Sequence, residues 1–306
     1  MRTGILSLLF LLLLVCGSPL HAQEKKHDSL ELRYRFVPGQ MLTYRVFGYD
    51  TIVIYDSTVH ALAREREEMV TYRCDSIVPQ GYVMTLRTTA YKATERRDTA
   101  KPVIVTSHPW VGRSIRFLMS PTGRRLDLLA SPNVPATGPG GPFAPMVLPN
   151  LGADSTYIGS SDQYVNEQWT VDALYPPIKW RGNCMRNVER RFDTLGNPVV
   201  EVSFSEVGNN AYRQPGKGDP TTSSLSNGGG SYYCSVRYAY PIAGNYEMIN
   251  NLTMDFPAPV ARKIRGRHTT GILIQFISDS EHPEFKPEER PQRSSRHGGR
   301  SRQKKH

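Results

Sequence analysis

Beyond its first 22 residues the chain has no run of 18 apolar residues. A bilayer-crossing helix needs about 20, so no transmembrane span is expected in the mature chain. Cysteine is scarce, with four in 306 residues and no Cys-x-x-Cys pair. That removes zinc ribbons and thioredoxin-type redox chemistry. The eight histidines form neither His-x-x-x-His nor His-Glu-x-x-His, so the usual helix-borne zinc site is missing. No Gly-x-Ser-x-Gly elbow occurs. Gly228-Gly229-Gly230-Ser231 leads into no Lys-Ser/Thr, and it reads as a flexible loop rather than a phosphate cradle. Strands do not alternate with helical segments, which excludes a nucleotide-binding α/β domain. No catalytic residue, metal or cofactor is expected, and the sequence reads as a non-enzyme. Glu67-Glu68 and Glu288-Glu289 read as solvated charge.

What is present begins with an address. Arg2, an apolar run from Ile5 to Val15, and Leu20-His21-Ala22 before Gln23 have the layout of a secretory signal peptide cleaved after Ala22. Export to a periplasmic or extracellular space follows as an expectation. A second option is a lipid anchor in the outer membrane. Leu13-Leu14-Val15-Cys16 approximates the box that precedes a lipidated Cys16, although Val15 is large for its position. Cys74, Cys184 and Cys234 remain in the mature chain. An oxidising compartment allows one disulfide, and Cys184–Cys234 is the first choice because both begin strand-like runs.

The rest is β patterning. Leu32, Tyr34 and Phe36 alternate with polar residues, Pro38-Gly39 turns the chain, and Leu42, Tyr44 and Val46 alternate again. This is the period-2 signature of strands with one buried face. Residues 58–70 read as a strand extension and charged hairpin, with a short helix as the alternative. Pro and Gly crowd residues 131–150, which read as a linker or long loop. Residues 208–231 read as a mobile loop. The expected organisation is a signal peptide (1–22), a flexible lead-in (23–30), an N-terminal β lobe (31–130), the Pro/Gly-rich linker (131–150), a C-terminal β lobe (151–278) and a disordered basic tail (279–306). The fold class is mostly β: antiparallel curved sheets or half-barrels in two successive lobes, with few short helices.

Sixteen tyrosines are the unusual compositional signal. Tyr232, Tyr238 and Tyr240 read as one face of a strand and, with Trp169, are candidates for ligand binding. Half-buried sheet positions suit these residue types equally well. The formal charge of +10 is uneven. Residues 291–306 hold six Lys and Arg and no acid, so the charge points to a solvated tail, or to one attracted to an anionic envelope surface, and not to a specific nucleic-acid-binding fold.

Leu32-Arg33-Tyr34-Arg35-Phe36-Val37-Pro38-Gly39-Gln40 followed by Leu42-Thr43-Tyr44 resembles the opening of uncharacterised exported β-rich proteins of Bacteroidota-like bacteria. So does Leu148-Pro149 some way before Glu167-Gln168-Trp169, although that family usually has Gly-Asp where this chain has Glu167-Gln168. The family looks like curved antiparallel sheets, similar in outline to periplasmic lipoprotein carriers of the LolA/LppX type. The resemblance implies a non-catalytic cell-envelope protein that binds an apolar, lipid-like or extended ligand on a curved sheet. A surface interaction or assembly protein using the tyrosine strand and basic tail is the alternative, with an envelope hydrolase behind both.

Overall fold

A computed structural model describes residues 29–132, 147–152, 155–170, 178–194, 196–213 and 220–286. These residues are all-β and contain no helix. The elements are β1 (Leu30–Glu31), β2 (Met41–Tyr55), β3 (Val59–Val78), β4 (Gly81–Arg97), β5 (Val103–Val105), β6 (Ser114–Met119), β7 (Arg125–Ala130), β8 (Ser155–Thr156), β9 (Ser161–Thr170), β10 (Ile178–Thr194), β11 (Asn197–Arg213), β12 (Thr221–Ser235), β13 (Pro241–Phe256) and β14 (Arg262–Asp279). Twelve strands form one antiparallel sheet in the order β7-β6-β4-β3-β2-β14-β13-β12-β11-β10-β9, with β5 on the side of β4. The sheet curls until it is nearly closed and barrel-shaped, which brings its edge strands β7 and β9 together.

The two halves on either side of the Pro/Gly-rich stretch share this sheet. β2 pairs with β14 from Leu42↔Asp279 to Tyr55↔Arg265. Strand pairing between such distant segments leaves no edge between the halves. Residues 59–70 belong to β3, a 20-residue strand. Arg64, Arg66 and Glu68 alternate in phase with Val70, Tyr72 and Cys74 and point into the barrel, while Glu65 and Glu67 point out. The mobile-loop reading of 208–231 fails at 208–213 and 221–231; residues 214–219 lie outside the described residues. Residues 197–213 and 221–235 are β11 and β12, paired from Val199↔Ser235 to Arg213↔Thr221. The glycines there are needed for close strand approach: a Cβ on Gly230 would sit 2.0 Å from the Asn245 carbonyl oxygen.

One end of the barrel is packed solid. Leu42, Tyr44 and Val46 of β2, Val70 and Tyr72 of β3, Met84 of β4, Phe117 of β6 and Ile274 and Phe276 of β14 point inward and are buried. Two non-sheet segments fill this end. Leu32, Tyr34 and Phe36 enter from the N-terminal side, and Val147, Leu148 and Leu151 from the end of the expected linker. Tyr34 ties them together. Its amide donates to Pro121 O (2.7 Å), its hydroxyl donates to Pro149 O (2.9 Å), and its carbonyl accepts from the Tyr82 hydroxyl (2.8 Å). The linker reading is therefore corrected at 147–150, which is core; residues 133–146 lie outside the described residues.

Order also continues past Ser278. Asp279 is buried and accepts from Gln40 Nε2 (2.9 Å) and the Tyr240 hydroxyl (3.0 Å), and it bonds His282 Nδ1 (2.7 Å). Phe285 folds back onto Tyr238 and Phe276. The signal region 1–22 and the tail beyond 286 lie outside the described residues.

Gly123 shows how tight the packed end is. Its φ is +92°, and a Cβ there would meet Pro149 O at 2.2 Å and Tyr34 Cε2 at 2.7 Å. Gly39 has a similar φ of +90° with nothing within 4 Å. Gly39→Ala is expected to cost about 1–2 kcal/mol, the left-handed backbone penalty. Gly123→Ala adds the displacement of 147–151 and is expected to exceed it by at least about 1 kcal/mol. Urea denaturation of both variants checks this, and equal losses contradict the docking of 147–151.

Candidate functional site

Midway along the barrel the inward-facing positions stop being apolar. On β2, β3 and β14 the alternation that delivers Leu42 and Tyr44, Val70 and Tyr72, and Ile272 and Ile274 to the core goes on to deliver Asp50, Glu68, Arg66, Arg64, Thr270 and His268. A strand cannot turn these side chains outward without exposing the apolar residues in phase with them. They must therefore satisfy one another.

Asp50 is the centre, with no exposed side-chain surface. Its Oδ2 accepts from Arg64 Nε (3.1 Å) and Nη2 (2.9 Å), and Arg66 Nε lies 3.1 Å away. Its Oδ1 accepts from Thr270 Oγ1 (3.0 Å) and meets His268 Nε2 (2.9 Å). Arg66 Nη1 reaches Glu68 Oε1 (3.1 Å), and Arg64 Nη1 reaches Glu95 Oε1 (3.4 Å). Burial alone would raise the Asp50 carboxyl. The hydrogen bond from His268 and the two guanidinium groups outweigh burial and hold it well below the usual carboxylate range. A cluster this buried gains little over an apolar one, but losing one partner strands the rest, at about 3–5 kcal/mol. Glu68, expected as solvated charge, is thus a core group; Glu67 faces out and pairs with Arg45 (3.2 Å).

The opposite wall continues the belt with neutral groups. Trp180 Nε1 donates to Ser226 Oγ (3.3 Å), and Ser226 donates to Asn250 Oδ1 (2.5 Å). The indole lies flat on Gly182 and Gly208, where any Cβ would come within 2.3 Å of it. One step toward the packed end, Glu206 accepts from the Tyr246 hydroxyl (2.5 Å) and Asn166 Nδ2 (3.4 Å), and Asn150 Nδ2 donates to Asn166 Oδ1 (3.3 Å). Burial pushes the Glu206 carboxyl up. Register links the arcs: Gly208 pairs with Ser226, Ser226 with Asn250, Asn250 with His268, and Thr270 with Asp50, which pairs with Arg64.

Beyond the belt, toward the far end, the inner wall turns apolar again on β2, β3, β13 and β14. Ile52 and Ile264 are buried, while Ile54, Leu62, Leu252 and Met254 are half-buried on the concave side. Ile54 and Leu252 flank Gly266, where a Cβ would meet Ile54 Cδ1 at 2.8 Å. These side chains form an apolar patch above a polar floor. A separate cleft of about 450 Å³ opens at the seam between β7 and β9. There Glu167 lies between Arg124 (3.8 Å) and Arg181 (3.7 Å).

The residues singled out from sequence do not meet at one site. Tyr232 is buried and stacks on Phe204 at 4.9 Å. β12 ends at Ser235, so Tyr238 and Tyr240 sit in the following turn and not on a strand face. Tyr240 is core, and Tyr238 is stacked between Tyr240 and Phe285. The tyrosine face is therefore part of the packed end. Trp169 lies on β9, and its side chain lies outside the described residues. Cys184 and Cys234 are free and buried. Cys184 pairs with Glu206, whose β12 partner is Gly228, six residues from Cys234. That is roughly 20 Å along the strand, far beyond disulfide reach, so the expected bridge is corrected. Burial raises the Cys184 thiol to about 11 and the Cys234 thiol to about 12, away from thiolate nucleophiles. Cys16 lies outside the described residues. Among the described residues no group of three or more His, Cys, Asp or Glu is placed to hold a metal ion.

Comparison with known proteins places the chain near none of them in sequence. No family model matches, and no curated protein does. Among solved structures, lipovitellin aligns at 13% identity over 80% of this chain and 26% of its own, with a TM-score of 0.42. The chain thus spans about a quarter of lipovitellin's length. A mutant porin of Rh. blastica aligns at 13% identity over 76% of this chain and 99% of its own, with a TM-score of 0.17. At these scores neither neighbour speaks to function.

His108 supplies a pH test of the belt. It packs on the Tyr91 ring (4.9 Å). Burial, then Arg66 and Arg64, push its imidazole down to about 4 from an ordinary 6.5. Between those values only the unfolded chain takes up the proton, so stability falls as pH drops from about 6.5 to about 4. In urea titrations across this window, His108→Gln is expected to flatten the decline. A slope equal to the parent's contradicts the placement of His108.

Proposed function

We propose that this is an exported, non-catalytic protein of the cell envelope that holds the apolar part of an extended or lipid-like ligand inside the far end of its barrel. One observation carries the reading. Ile54, Leu62, Leu252 and Met254 face inward yet keep exposed surface, whereas the apolar residues at the other end are packed out. A concave apolar wall with uncovered surface gains about 25 cal/mol for each Å² a ligand covers. The polar belt beneath it gives a ligand's polar groups partners to bond.

The outer wall supports a barrel that faces water. Arg45, Glu67, Lys92, Arg181, Glu201, Glu247 and Arg267 project outward from its strands, where a lipid-embedded barrel would need an apolar band. The assembly-protein alternative loses its tyrosine surface, because Tyr232 and Tyr240 are buried. The signal-peptide layout of residues 1–22 supports export.

An environment-sensitive apolar dye such as N-phenyl-naphthylamine tests the reading. The parent protein is expected to take up the dye and release it to long-chain fatty acids. Leu62→Lys and Leu252→Lys are expected to weaken uptake about tenfold or more, since each removes apolar contact and adds a charge, with the folded spectrum retained. No uptake by the parent, or unchanged uptake by both folded variants, contradicts the proposal.

A further inference from the structure

Three hairpin tips lie at the same end of the barrel as the apolar patch. β2–β3 turns at 55–59, β4 ends at Arg97 before β5 returns at Val103, and β13–β14 turns at 257–261. Two of them, β2–β3 and β13–β14, carry apolar surface in the open. Val59 and Val260 are 62% and 59% exposed, and Tyr55 is 49% exposed. An isolated exposed valine needs no explanation, but apolar tips recurring at one rim of a barrel do.

The charges around the three tips are mainly basic. Over residues 55–61, 95–104 and 254–265 there are six Lys and Arg against four Asp and Glu. The acids are engaged: Asp56 with Arg262, Asp255 with Lys263 (3.6 Å), Asp98 with His60 (3.7 Å) and Glu95 with Arg64 (3.4 Å). Arg96, Arg97, Lys101 and Arg265 are exposed and make no ion pair among the described residues. Basic residues flanking exposed apolar tips match an anionic lipid surface. The tips enter the headgroup layer and the cations meet the lipid charge, each worth about 1 kcal/mol near the surface.

We propose that this rim docks on an anionic lipid bilayer, with the mouth of the barrel turned toward the membrane. Ile54, Leu62, Leu252 and Met254 lie on the inner side of the same strand ends, so docking places the apolar wall against the source of a lipid-like ligand. The orientation of the mouth rests on the ligand-binding reading above; the docking surface does not. The surface is also distinct from the basic tail, which lies outside the described residues.

Co-sedimentation of the full chain with vesicles of phosphatidylcholine, with and without phosphatidylglycerol, tests it. The parent is expected to sediment with the phosphatidylglycerol vesicles and to stay free with phosphatidylcholine alone. R97E/R265E is expected to weaken that binding about tenfold or more. V59D/V260D is expected to weaken it several-fold, and R87E/R191E, away from the rim, to leave it near the parent's value. The proposal is overturned if the parent does not sediment, if R97E/R265E loses no more than R87E/R191E, or if V59D/V260D binds like the parent. That last outcome marks a general polyanion site, which heparin would occupy equally. Dye uptake without vesicles separates the two readings. Rim variants that keep the dye and lose the vesicles support docking, and rim variants that keep both overturn docking while leaving the ligand site standing.

Discussion

The pairing of β2 with β14 is the constraint on which the rest of this structure depends. It joins segments more than 200 positions apart in sequence, through a register running from Leu42↔Asp279 to Tyr55↔Arg265. Without it the chain would be two sheets with two open edges. With it, the twelve strands of the sheet share one inner face, and the face has three zones: a packed apolar end, a polar belt and a half-covered apolar wall. The belt itself crosses this seam. Asp50 on β2 is bonded by Thr270 and His268 on β14, and by Arg64 and Arg66 on β3. A one-residue slip would turn Asp50 outward and Thr51 inward, leaving two buried guanidinium groups without their shared carboxylate. The ionic centre therefore penalises wrong register at the one junction that local sequence does not specify.

The division of labour along the barrel follows from the same geometry. At the packed end, the segments around Tyr34 and Leu148 bring the volume that fills a wide barrel, and the inward side chains there are buried. At the belt, charges and amides are paired around the inner wall and make a floor that water-free burial could not otherwise tolerate. Beyond the belt no described segment crosses the interior, and the inward apolar side chains keep part of their surface uncovered. The functional proposal is a statement about that asymmetry, and the docking proposal extends it to the outer side of the same strand ends.

Period-2 alternation made the strands legible in the sequence, from Leu42-Tyr44-Val46 to Ile272-Ile274, and with them the all-β class. Alternation also held the key to the belt. Arg64, Arg66 and Glu68 are in phase with Val70, Tyr72 and Cys74, and following that phase backward would have placed them inside. Charge suggested solvent instead, because a lone sequence does not show that Asp50 waits on the facing strand. The Gly/Ser-rich composition of 221–231 suggested a loop for a related reason. Small residues there serve close contacts with β11 and β13, such as Gly229 against Phe204 and Gly230 against Asn245, and those neighbours are distant in sequence. The tyrosine cluster was visible, but its direction was not. Only the turn after Ser235 shows that Tyr238 and Tyr240 fold over the packed end.

Cysteine pairing across the seam tests the central claim most directly. Thr51 on β2 faces Thr269 on β14 on the outer wall, away from the buried native thiols. In a T51C/T269C variant under mild oxidation, peptide mapping is expected to show an intrachain 51–269 disulfide forming readily, with T51C/R267C, out of register, lagging well behind. A chain in which 51–269 does not form, or in which the shifted pair forms equally well, would show that the two halves are not one sheet in this register.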